Sequence, residues 1–245
     1  MDSKVSELAR TLRSSLMALA LGLLTVGPVC AATRSYIVTD FDSIRVEGPL
    51  NIAVETRRGA SARGEGGAAS LDQVDLRVAS RVLTVRLKPS PFESSRDRNA
   101  PAIRLSLTVP SLRRVQLTGA GSLNITGLDR SRAEIIASGS GSIAITAIDT
   151  DILSVVQFGA GSISLAGKAK SVDLRVSGHG GLDARNLRTA DLEIALEGAA
   201  NVEAQADRSA KLVAAGPGNI TITGKPACTV RRVGSGVVRC GGEIF

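Results

Sequence analysis

Aromatic residues are almost missing from this chain. Its 245 residues include no Trp, one Tyr and four Phe, although 43% of the residues are hydrophobic. Aromatic rings supply much of the bulk of a thick globular core. A core assembled here from Ile, Leu, Val and Ala has to be thin, and stacked β-coils have such cores. Histidine occurs once, as His179, which excludes a His-rich metal site. It also leaves little material for a nucleophile with a histidine base and an orienting third group. Sugar-processing grooves commonly stack their ligands on aromatic rings, so the scarcity argues against a deep groove of that kind. Long apolar runs are confined to one place, Ser15 to Val26. That run is shorter than the roughly 20 residues a membrane-spanning helix needs.

What precedes and follows that run reads as a targeting segment. Lys4, Arg10 and Arg13 form a basic start, Ser15 to Val26 an apolar centre, and Pro28, Ala31 and Ala32 a small-residue cleavage region. Residues 1–32 are therefore expected to be a signal peptide, cut after Ala31 or Ala32, and residues 33–245 a single domain. Cys30 invites a lipoprotein reading, but Gly27-Pro28-Val29 is a poor lipobox. An uncleaved anchor is the other alternative. Cleavage removes three basic and two acidic residues, so the formal charge of +7 falls by one. The remaining positive charge suits anionic partners, and equally suits a merely solvated surface. Cleavage also leaves two cysteines, Cys228 and Cys240, in an oxidising compartment, where a pair favours a disulfide.

Internal repeats decide the architecture. The motif Gly-x-Gly-[Ser/Asn]-aliphatic reads Gly119-Ala-Gly121-Ser122-Leu123, Gly139-Ser-Gly141-Ser142-Ile143 and Gly159-Ala-Gly161-Ser162-Ile163. It persists as Gly178-His-Gly180-Gly181-Leu182, Gly198-Ala-Ala200-Asn201-Val202, Gly216-Pro-Gly218-Asn219-Ile220 and Gly234-Ser-Gly236-Val237-Val238. Successive first glycines stand 20, 20, 19, 20, 18 and 18 residues apart. A dinucleotide loop would need a third glycine opening a helix, and no helix-period segment follows any of these. The glycines are expected to supply positive φ at tight corners. Apolar residues alternate with period two on both sides of each corner, as in Val172/Leu174/Val176 before and Leu123/Ile125 after, which is a strand signature. Loose turns are expected at Asp129–Arg132, Gly167–Ser171 and Asp207–Ala210.

Each repeat is thus strand, glycine corner, strand, loose turn. The expected fold is all-β, a right-handed parallel β-helix of coils about 20 residues long, with a less regular N-terminal part. A propeller blade would need about 40 residues per repeat, and odd and even repeats show no alternation. Ser122, Ser142, Ser162, Asn201 and Asn219 fall in one column, where side chains can bond from coil to coil. In the N-terminal half, Gly48-Pro49-Leu50-Asn51-Ile52 echoes Gly216-Pro217-Gly218-Asn219-Ile220, which starts the first coil near Phe41. Residues 74–87 read as two strands around Ala79-Ser80-Arg81, and Ile103 to Val109 as another, ended by Pro110. Residues 58–70 and 89–101 read as exposed, mobile loops.

Phe41-x-x-Ile44-x-Val46-x-Gly48, the Val109-Pro110-Ser111-Leu112 element and the glycine corners together resemble the autotransporter adhesin head GIN domain family. The resemblance covers about residues 38–240. It implies an exported bacterial envelope domain with a right-handed parallel β-helix-like fold, and it brings no catalytic residues or cofactor to carry over.

Two further expectations rest on the residues themselves. Cys228 stands where Ala210 stands one coil earlier, and Cys240 where Ile222 stands, so both point inward from facing strands of the last coil and can bridge. Ile136 and Val156 each stand three residues before a corner glycine, on the outward side, with Phe158 beside Val156. Either a bulge in residues 152–158 buries Val156 and Phe158 while turning Gln157 outward, or an apolar stripe is exposed as an interface. The interface, and with it a homo-oligomer, is favoured. Asp129, Asp149 and Asp151 could stack at one turn, but they read as solvated turn-formers rather than a calcium site.

Function then divides three ways. The favoured reading is a non-enzymatic, adhesin-like envelope protein in the periplasm or at the cell surface, with a glycan or protein partner, no nucleic-acid role and no integral membrane segment once the signal is cut. The others are a carbohydrate-active β-helix and a purely structural spacer.

Overall fold

Alternating apolar and polar residues can bury one side of a strand only if a second layer covers that side. The computed structural model, which describes residues 32–88 and 103–245, shows how the chain supplies that layer from its own successive coils. The fold is a parallel β-solenoid of about 6 turns, with coils about 20 residues apart. Strands before each glycine corner stack in one sheet: β8 (Arg114–Gly119), β10 (Arg132–Gly139), the second parts of β11 (Ser142–Gly159), β12 (Ser162–Gly178) and β13 (Gly181–Gly198), then β15 (Ser209–Ala215) and β17 (Ala227–Val233). Strands after the corner stack in a facing sheet. It runs from β9 (Ser122–Leu128) through the first parts of β11, β12 and β13 to β14 (Asn201–Ala206), β16 (Asn219–Gly224) and β18 (Val238–Cys240). A terminal strand, β19 (Glu243–Ile244), pairs antiparallel with β18. Leu174, Ile194 and Leu212 of the first sheet and Leu123, Val202 and Ile220 of the second are all buried in the space between.

The corner glycines fall into two kinds. The first of each pair has positive φ, from +103° at Gly159 to +129° at Gly234, as expected. The second glycines, Gly121, Gly141, Gly161, Gly180, Gly218 and Gly236, do not, which corrects the single reading given to all of them. Their constraint is the neighbouring coil: a Cβ on Gly161 would lie 2.4 Å from the Gly141 carbonyl oxygen. Corner backbones also bond from coil to coil, with Gly141 N–H donating to Gly119 O at 2.8 Å and Ser142 N–H to Gly121 O at 2.9 Å. The Ser/Asn column is bonded at its two ends, Ser122 Oγ to Asn51 Oδ1 at 2.7 Å and Asn219 Nδ2 to Asn201 Oδ1 at 3.0 Å.

Two expectations about irregular segments are overturned. In the central coils the turn expected at Gly167–Ser171 is a short third strand: Ile148, Gly167 and Leu187 pair in register, as do Thr150, Ala169 and Thr189. The buried Thr150 and Thr189 let the backbone bend there while its polar groups stay bonded, since the Thr150 hydroxyl donates to Arg130 O at 2.5 Å and that of Thr189 to Asp191 O at 3.1 Å. Residues 58–70 are not a loop throughout. They contain β4 (Ser61–Gly66), antiparallel to both β1 (Ala32–Tyr36) and β7 (Arg104–Val109), and the start of a one-turn helix, α1 (Ala68–Asp72). Gly and Ala are common there because β4 is packed closely: a Cβ on Gly64 would meet Leu71 at 2.9 Å and Tyr36 at 3.1 Å. The segment 89–101 lies outside the described residues.

The N-terminal coils stack out of chain order. β2 (Ser43–Glu47) pairs with β8 on one side and with β6 (Val82–Leu87) on the other, while β3 (Asn51–Thr56) lies between β9 and β7. β5 (Val74–Ala79) completes this end as a hairpin with β6, turned at Ser80 and Arg81 with φ of 49° and 63°. Antiparallel β1, β4 and β5 thus cover the first coils.

Candidate functional site

Three groups of side chains stand out on this frame: an ionic clasp at the N-terminal coils, the paired cysteines at the other end, and two contrasting outer faces between them. The clasp is built on Asp42, which is buried just before β2. Its carboxylate accepts from Arg81 Nε and Arg113 Nε, each at 3.0 Å, and from Ser43 Oγ at 2.9 Å. Burial pushes this carboxyl upward, but the three donors outweigh it and hold it below its ordinary value. Asp75 is held low in the same way by Arg86 and Arg77 against the same effect of burial. Sequence reasoning missed both, because Arg81 and Arg113 lie 39 and 71 residues from Asp42, and Arg86 lies 11 from Asp75.

At the far end, Cys228 pairs in register with Ala210 and Cys240 with Ile222, and the two sulfurs form a disulfide. The expected bridge is present.

The first sheet's outer face carries the apolar stripe. Alternation runs through residues 152–158 without a break, so no bulge is present. Gln157 points inward and is buried, its Nε2 donating to Gly161 O at 2.6 Å, while its Oε1 has no partner. Ile136 and Val156 face outward side by side and half-buried, and Phe158 is 52% exposed. Past Arg175 the same row resumes with Ala195 and Val213 before ending at Arg231, and past Ser177 and Glu197 the next row resumes with Ala215 and Val233. Val213 could have been found by the signal that marked Ile136, an aliphatic at an outward position between two inward ones. Around Phe158, Arg175 and Val213 the surface dips into a shallow hollow of about 440 Å³.

The second sheet's outer face is polar. Small residues, Ser142, Ala144, Ser162, Ser164 and Gly181, floor a trough of about 340 Å³ whose far wall is Asp183, Arg185, Asn201 and Glu203. Arg185 spans the two carboxylates, at 2.7 Å from Asp183 and 3.0 Å from Glu203. The Arg185 contact is the main cause that holds the Asp183 carboxyl below its ordinary value. Such a surface presents hydrogen-bond donors and acceptors in rows about 4.8 Å apart.

The remaining candidate residues are not gathered into a centre. His179 is exposed at its corner. Asp129, Asp149 and Asp151 each sit beside a cation, Arg57, Lys168 and Lys170 respectively, at 3.1, 3.1 and 2.5 Å. Among the described residues no group of three or more His, Cys, Asp or Glu could hold a metal ion, and no helix is long and apolar enough to cross a membrane.

The same solenoid recurs in crystal structures. That of a "putative adhesin" from Bacteroides fragilis superposes with a TM-score of 0.79 at 23% identity, covering 86% of this chain and 97% of that one. A "putative lipid binding protein" from Parabacteroides distasonis gives 0.68 at 19%, covering 87% and 98%. A "putative adhesin" from Parabacteroides merdae gives 0.63 at 17%, covering 87% and 97%. At these identities the likeness is one of fold. No curated protein matches the sequence. The family model does: it matches residues 40–226, the stretch that runs from the Asp42 clasp through every coil up to the last. The chain therefore belongs to the family described as "Putative auto-transporter adhesin, head GIN domain".

Proposed function

We propose that this protein is exported to the cell envelope, with residues 1–32 removed as a signal peptide, and acts there as a non-enzymatic adhesive module. Residues 1–31 of that segment lie outside the described residues, and Ala32 is the first residue of β1. In this reading the polar trough of the second sheet is the contact surface, and its partner is a glycan or protein displayed at the periplasmic or outer side of the envelope. The observation that carries it is the regular array of small hydroxyl and amide side chains beside the Asp183–Arg185–Glu203 cluster. Rows of donors and acceptors on a rigid sheet can hold a polar polymer at many weak points at once.

The same cluster argues against the carbohydrate-cleaving alternative. Glycoside hydrolysis needs one carboxyl kept protonated by a raised pKa and a second kept ionised. Here both carboxylates share one guanidinium, and that of Asp183 is held low.

Fractionation with protease shaving of whole cells tests the location, and adhesion of cells bearing the Arg185→Ala/Asn201→Ala variant tests the surface. Processed protein in the envelope, with adhesion lowered by the variant at equal display, is the expected result. Cytoplasmic, unprocessed protein, or adhesion unchanged by the variant, would overturn the reading.

A further inference from the structure

We infer that the apolar outer face of the first sheet joins two copies of this chain about a two-fold axis parallel to the strands, lying between β12 and β13. The inference rests on that face alone and not on the adhesive role given to the opposite sheet.

A two-fold axis in that position makes each row of side chains face the same row of the other copy, with the order of coils reversed. β11 then meets the partner's β15, β12 its β13, and β10 its β17. Val156 faces the partner's Val213, and Phe158, the large exposed side chain of the face, meets the partner's Ala215, a small residue beside the same hollow. A large residue thus lies opposite a small one, twice by symmetry.

Charge fits the same register. Glu197 makes no ion pair among the described residues, and in this arrangement Arg175 lies diagonally across from the partner's Glu197. Asp173 comes opposite the partner's Glu193, but each arrives already neutralised, by Arg175 at 3.0 Å and by Lys211 at 2.8 Å. Arg231 comes opposite the partner's Ile136, with the partner's Glu134 diagonally across from it; together with the internal pairs this leaves the face without a strong field of one sign, which suits a second copy better than an anionic membrane surface.

Area is sufficient. Six strands spaced about 4.8 Å apart, each contributing about seven residues of about 3.3 Å, span roughly 650 Å² per copy. Two such faces bury about 1,300 Å², inside the range of roughly 1,200–2,000 Å² of specific interfaces.

The test is sedimentation equilibrium of the purified full chain over a wide concentration range, with three variants. Wild type should be a dimer. Phe158→Asp should weaken association by about a hundredfold or more, since two rings lose their cover and two charges are buried in their place. Its far-ultraviolet circular dichroism should match wild type, because Phe158 is 52% exposed in the single chain and its replacement leaves the core intact. Glu197→Arg, which leaves the Asp173–Arg175 pair intact, should weaken the dimer by setting a cation across from the partner's Arg175, and Glu197→Gln should weaken it less. A wild type that stays monomeric, including one that instead floats with phosphatidylglycerol vesicles, would overturn the inference, as would a dimer indifferent to Phe158→Asp. A dimer indifferent to Glu197→Arg would overturn the register.

Discussion

The two kinds of corner glycine can be separated by one pair of substitutions. Replacing Gly161 with Ala adds a Cβ 2.4 Å from the Gly141 carbonyl oxygen, on a backbone that an L-residue tolerates. Overfilling of this sort costs about 1–3 kcal/mol. Replacing Gly159 with Ala adds a Cβ 2.6 Å from the Gly139 carbonyl oxygen and also forces φ of +103° on a residue with a side chain. Backbone strain of that kind adds roughly 1–3 kcal/mol. The closest contact is milder at Gly159, its next two, at 3.3 Å, need only a small shift, and the gain from stiffening the unfolded chain, about 0.4–1 kcal/mol for Gly to Ala, is common to both. Any excess cost at Gly159 therefore comes from φ. Ala200 already occupies the second-glycine position of its own coil and is buried, so the coils can absorb a Cβ there. The expected order is Gly159→Ala less stable than Gly161→Ala, by about 1–3 kcal/mol, both below wild type. Urea unfolding followed by far-ultraviolet circular dichroism measures it, provided the slope with denaturant is unchanged. Equal costs, or a larger cost at Gly161, would refute the assignment of positive φ as the function of the first glycine.

Two other outcomes follow from the ends of the solenoid and its charges. Cys228 and Cys240 are 12 residues apart, so their bridge contributes about 3 kcal/mol on the chain-entropy model. Contacts in a solenoid are local, so reduction should raise amide exchange in β17 and β18 and leave β8 to β10 unchanged; uniform loosening would contradict this. The carboxyls of Asp42, Asp75, Asp183 and Glu193 are all held low in the folded chain, and that of Asp191 is held at about 2 by Arg208 and Ser209. A carboxyl lowered by folding stabilises the fold above its unfolded pKa and ceases to do so as pH falls through its folded one. The melting temperature should therefore be flat from neutrality to about pH 5 and fall between about pH 4 and pH 2. A melting temperature constant down to pH 2 would show that these pairs do not favour the folded state.

Much of this architecture was legible because it is local. The inward rows of Ile, Leu and Val, the corners at Gly119 to Gly236 and the bridge between Cys228 and Cys240 all follow from period-two alternation within each coil and a near-constant repeat length along the chain. What the neighbouring coil decides was not legible. The second glycines are needed because a carbonyl oxygen of the previous coil occupies the space of their Cβ. Ile148, Gly167 and Leu187 become strand because the coils on either side offer backbone partners, where a single coil shows only a turn. Gly64 and its neighbours have the composition of a loop, and only packing against Tyr36, Leu71 and Leu105 makes them a strand. The order of the first coils is set by the return of the chain through β4 and β5, with Asp42 drawing Arg81 and Arg113 to one carboxylate from opposite sides of β2. The outward position of Val156 and Phe158 was itself a choice between two readings, since a bulge and a regular strand share one sequence pattern. The unbroken pairing of residues 152–158 with the strands on both sides decided it in favour of an exposed face.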